Sequence, residues 1–261
     1  MSLHDGYART TPWELVFESA DAARDFVAAV GEEASGRGAD PGALESFLTM
    51  GTVDHLIRGL EGAEDQDGAL VRFGGLAFHA YHFTRAGCPV YLLSVHATRY
   101  LVEGAPPGPP EPPAASGYLQ LPQHLFWAGG ASGEGAPESI DGLFWTATSR
   151  GVLQTLLVTG VRPDRSGVGV VPLPAVPLAD ATSWLNIDAR GDSRDFSASL
   201  PGGELDGLYE VATAGEVLKL LARFFAYVRG VPDALDEMSP HSGSVAPPPS
   251  SLPYSRVRLS A

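Results

Sequence analysis

ALVRFGGLAFHAYHFTRAGCPVYLLSVHATRYLVE, residues Ala69–Glu103, is the stretch whose reading decides the fold. It is the longest run of β-type residues in the chain, and it carries three of the seven histidines and the single cysteine, Cys88. Alternation on either side of Ala86-Gly87 predicts a hairpin at the centre of an antiparallel sheet. One of its faces would carry Leu76, Phe78, Ala80, Tyr91, Leu93 and Val95 and serve as the core side. The other would bring His79 and His96 into a diagonal relation, with Tyr81 and Ser94 beside them.

Two imidazoles, a phenol and a hydroxyl held together can share proton transfer, so His79, His96, Tyr81 and Ser94 form the candidate site. The competing reading has these histidines filling half-buried positions with satisfied hydrogen bonds. Spacing places no carboxylate beside them to complete a metal set, so neither metal nor cofactor is expected. His79 and His82 have a ligand spacing on a helix, but on a strand they diverge. Cys88 is a weak nucleophile candidate, because nothing local would lower its pKa.

Before the hairpin, Pro12–Glu18 alternates as a strand with Trp13, Leu15 and Phe17 on one side. Ser19 reads as the cap of a helix with Ala22, Phe26, Ala29 and Val30 as its apolar stripe. Asp40-Pro41 and Thr52 mark two further helix starts, and the acidic run EGAEDQDG reads as a solvated loop. After the hairpin, GAPPGPPEPP (104–113) predicts a semi-rigid spacer outside the fold. Residues 117–173 read as an antiparallel meander, with a second hairpin at Arg150-Gly151. Thr213 and Glu216 form a capping box ahead of a helix that buries Val217, Leu221, Phe224 and Phe225 and ends at Gly230.

The fold class expected is therefore α+β: a mainly antiparallel sheet of about six to seven strands with helices packed on one face. It would start strand–helix and close with a long C-terminal helix. Residues 1–230 would form one domain, with the N-terminal strand and helices at 12–61, the sheet at 69–173 and the helical closure at 203–229. The Pro/Ser-rich segment 231–261 would be a flexible tail.

Composition narrows the function classes. The net charge is −14, and residues 1–68 alone hold 14 acidic and 4 basic side chains. Such a field repels phosphate, which argues against nucleic-acid and anionic-membrane partners. MSLHDGYARTTPW has neither the basic start nor the apolar core of a signal peptide, and no apolar run approaches the roughly 18 residues of a membrane span. A cytoplasmic address follows as the expectation. Phosphate-loop, nucleophile-elbow, zinc-helix and paired-cysteine motifs do not occur in the sequence. The acidic group Asp188, Asp192, Asp195, Glu204 and Asp206 reads as solvated loop surface. The leading expectation is a non-enzymatic interaction or accessory module whose partner is another protein or a second copy of itself. The alternative is an enzyme or small-ligand binder with a histidine-lined pocket on the central hairpin.

Overall fold

The computed structural model describes residues 6–17, 19–45, 66–128, 138–159, 168–185, 209–211 and 214–259. The predicted central hairpin is absent. In its place stand helix α3 (Gln66–Arg85), a three-residue strand β1 (Val90–Leu92) and helix α4 (Val95–Glu103).

The reason lies in how α3 is buried. Leu76, Ala80 and Phe83 face the sheet, while Ala77, Phe78 and Tyr81 face α2 (Ala20–Gly36) through Val30 and Ala34. Two adjacent helical stripes, laid out along the sequence, mimic the apolar run of a strand. Only Val71 and Thr84 in α3 are β-branched, which suits a helix. The presumed hairpin turn is the helix's C-cap. Cys88 N–H donates to Phe83 O at 2.9 Å and Gly87 N–H to Thr84 O at 3.1 Å, with Gly87 at φ +83°. That pattern is the Schellman closure, and the left-handed position it requires is filled by glycine.

The opening strand is also a helix, α1 (Pro12–Val16). Thr11 and Glu14 form a reciprocal capping box, and Pro12 takes the first helical position. Its alternating PWELVFE had concealed the T-x-x-E signal one residue upstream.

The remaining strands are β2 (Ser116–Gln120), β3 (Phe126–Ala128), β4 (Glu138–Ala147), β5 (Val152–Thr159), β6 (Gly169–Pro172), β7 (Val176–Pro177), β8 (Tyr209–Val211), β9 (Leu235–Met238) and β10 (Tyr254–Val257). The other helices are α5 (Ala181–Trp184) and α6 (Ala214–Gly230). The sheet runs β6-β5-β4-β2-β1-β10-β9, with β3, β7 and β8 off that path. It is mixed, not antiparallel throughout: β1 pairs in parallel with both β2 and β10, and β3 with β8. Parallel partners need a crossover, and α4 supplies the one from β1 to β2.

Helices cover both faces of this sheet, not one. Val90, Leu92, Tyr118, Phe144, Leu156 and Tyr254 pack toward α1, α2 and α3. Tyr91, Leu119, Leu143, Trp145, Leu157 and Val257 pack toward α4, α5 and α6. Strands buried on both sides lose the in/out polarity that marks a one-sided sheet. The chain does not close on a helix either. Residues 231–261, expected as a flexible tail, continue past α6 into β9 and β10, and β10 lies between β1 and β9.

The proline-rich spacer is not outside the fold. Gly108 meets Gly230 so closely that a Cβ on Gly230 would lie 2.5 Å from Gly108 N, and Arg229 Nη2 donates to Pro112 O at 3.0 Å. Arg223, 9% exposed, ties three elements together. It donates to Leu185 O beyond α5 and to Leu101 O and Val102 O in the last turn of α4, where a cation complements the helix dipole.

Gly117 lies under the fully buried Trp145, and a Cβ there would run into the indole ring. Gly117→Ala should cost about 1–3 kcal/mol in urea unfolding, the usual penalty for overpacking. Gly31, in the interior of α2 with open space around it, is the control. Gly31→Ala should gain up to about 1 kcal/mol.

Candidate functional site

The four residues singled out from the sequence do not meet. His79 lies on α3 against one face of the sheet, whereas Ser94 and His96 open α4 on the other. Ser94 is the N-cap of α4, accepting from Ala97 N at 3.1 Å, and His96 is exposed. Tyr81 points from α3 toward α2, where Arg85 Nη1 donates to its hydroxyl at 3.3 Å and the guanidinium lies 5.5 Å from the ring centre.

His79 is engaged inside the core. Its Nδ1 lies 3.0 Å from Thr146 Oγ1, which lies 3.1 Å from Ser116 Oγ, and Ser116 donates to Trp145 O at 2.9 Å. The single Ser116 proton is thereby spent on a carbonyl. Thr146 must then donate to Ser116, which assigns the proton of His79 to Nδ1. A serine, a threonine and a histidine in sequence suggest a nucleophile relay. Here, however, they are 1%, 0% and 2% exposed, so the chain closes hydrogen bonds instead of opening to a substrate. Burial, with a smaller contribution from His82, pulls the pKa of His79 down to about 3. His82 Nε2 lies 3.1 Å from Leu44 O, and burial lowers its pKa to about 4.

A buried ionic network, unforeseen in the sequence, fastens the N-terminal segment. Arg9 Nη2 donates to Leu121 O at 2.9 Å and Asp141 O at 3.1 Å and lies 3.7 Å from Asp141 Oδ1. Its backbone N–H donates to Gln120 Oε1 at 2.7 Å. Asp141 occupies the β-bulge between Ile140 and Gly142, which turns its carbonyl toward the guanidinium. Charge and partners are enclosed together, so the network anchors the fold.

The described surface does hold an open groove of about 520 Å³, at the N-terminal ends of β1 and β10 and the last residues of β9. Cys88, Val90, Met238, Pro253 and Tyr254 give it apolar walls, and Glu237 and Ser239 line it with polar groups. Cys88, which follows Gly87 in the closure of α3 and is itself at φ +56°, lines it. Burial, and then the negative charge of Glu14, raise its pKa to about 11. At neutral pH the thiolate is therefore scarce, and the groove offers contact area without an activated nucleophile. One side of the groove is β9, the outermost strand of the sheet, and among the described residues no strand pairs with its far edge.

Among the described residues no three His, Cys, Asp or Glu side chains group as metal ligands, and no helix is long and apolar enough to cross a membrane. Asp188, Asp192, Asp195, Glu204, Asp206 and the capping residue Thr213 lie outside the described residues.

No family model matches the chain, and no curated protein matches it. Among solved structures, the chain is similar to one titled "Crystal structure of AcrVA2", with a TM-score of 0.44 and 12% identity over 87% of this chain and 71% of that one. A likeness of that degree carries no argument about function.

Proposed function

We propose that this protein is a non-enzymatic interaction module of the cytoplasm, whose partner surface is the groove between β9 and the Cys88 turn. The observation that carries this reading is a groove of mixed polar and apolar lining at the side of a strand whose far edge no strand among the described residues covers, a combination that accepts polypeptide. The chemistry of the histidines agrees with it: His79 and His82 are buried, neutral and hydrogen-bonded. A half-buried free thiol in the groove suits a reducing compartment. The rival reading, a small-molecule pocket built on His79 and His96, loses its basis with the hairpin that was to bring them together.

Selection of random short peptides on the immobilised protein tests the proposal. Recovered peptides should lose at least about tenfold in affinity, or 1.4 kcal/mol, when Met238→Asn replaces an apolar side chain of the groove with a neutral polar one. Peptides that bind Met238→Asn as tightly as the parent would place the partner surface elsewhere and overturn the reading.

A further inference from the structure

We infer that β9 takes a cationic extended segment as its partner, added to the sheet as a further strand; this rests on the groove being the partner surface. Leu235 packs with the α4–α6 side of the sheet and Met238 with the α1–α3 side, so Glu237 and Met238 project to opposite faces. Glu237 is exposed, makes no ion pair among the described residues and stands at the groove. Asp236 is already matched by Arg258, 3.3 Å away within the chain. A strand added at the far edge of β9 therefore lies beside one uncompensated carboxylate, Glu237, on one face of the sheet and beside the apolar Met238 on the other. The complement is a basic residue adjacent to an apolar one, the alternation an extended chain supplies.

Charge also selects against the other occupant, a second copy of this chain. Antiparallel self-pairing through this one free edge keeps the sheet faces, so a pair centred on Asp236 or on Glu237 would set two carboxylates directly opposite, and like charges so placed repel. The net charge of −14 adds a long-range preference of the same sign, repelling copies and drawing cationic chains.

The test uses the full chain and three capped peptides of equal length. One alternates arginine and valine, one alternates glutamate and valine, and the third is the arginine peptide with alternate amides N-methylated. Fluorescence anisotropy should show binding of the first peptide alone, weakening as salt rises. Glu237→Lys should weaken it roughly tenfold. Glu32→Lys, an equal charge change at an exposed residue of α2, should leave it within about twofold. Hydrogen exchange should slow at Leu235–Met238 in the complex. Equal binding of the N-methylated peptide overturns strand addition, and equal binding of the glutamate peptide overturns the charge preference. In either case the partner-surface reading survives if the neutral Met238→Asn still weakens binding at least about tenfold. If Met238→Asn is also without effect, that reading falls as well. A dimer in sedimentation with β9 protected on association would put a second copy on this edge and overturn the inference.

Discussion

Ending the chain after Ser251 should leave a protein that no longer unfolds cooperatively. The cut removes β10, which pairs with β1 on one side and β9 on the other. Tyr254 and Val257, 6% and 3% exposed, leave the two cores they help to close, each worth about 1.5–3 kcal/mol of burial. The Arg258 carbonyl that accepts from Tyr227 Oη at 2.7 Å goes with them. β1 would then present an open edge in the middle of the molecule. The total stability of a domain is about 5–15 kcal/mol, so these losses together take most of it. Near-UV circular dichroism and urea unfolding measure the outcome. Tyr254→Ala, a graded version, should cost about 3–5 kcal/mol. A truncated chain with the parent's midpoint and slope would show that β10 is dispensable.

Acid should unfold the protein early, in a window set by His79 and His82. Both imidazoles stay neutral in the folded state, with pKa about 3 and about 4 against an ordinary 6.5. Below pH 6.5 the unfolded chain takes up protons that the folded chain refuses. The stability they contribute is thus complete above pH 6.5, and it falls as pH drops toward about 4 for His82 and about 3 for His79. Each histidine costs about 1.4 kcal/mol per pH unit, so two units of acidification remove roughly 5 kcal/mol. Arg85 adds repulsion to His82, and the two histidines repel each other when charged. Between pH 6.5 and about 5.5 most carboxylates are still ionised, so the slope there belongs mainly to imidazole. Urea midpoints across that range should fall steeply, and His82→Gln should remove close to half of the slope. An unchanged slope in that variant would mean that His82 is not buried in its neutral form.

Some of the molecule was legible in local signals. Ser19 caps α2 with a 3.1 Å bond from Ala22 N, and Gly151 at φ +75° turns the β4–β5 hairpin. Both depend on neighbours a few residues apart, where residue chemistry speaks directly. Ser94 was visible as a polar residue but was read as part of a site, although S-x-x-A ahead of an apolar run is equally a helix cap. The candidate site depended on register, and one wrong element displaced all four of its residues.

By itself the sequence determined the acidic balance, the single unpaired cysteine, the Ser19 cap and the turn at Gly151. The tertiary structure decided that Ala69–Arg85 coils, because only a helix wedged between a sheet and α2 needs two apolar stripes. It also decided that Tyr254–Val257 lies between β1 and β9. Its neighbour β1 is more than 160 residues away in sequence, and a parallel pair closed over such a loop leaves no turn residue to announce it.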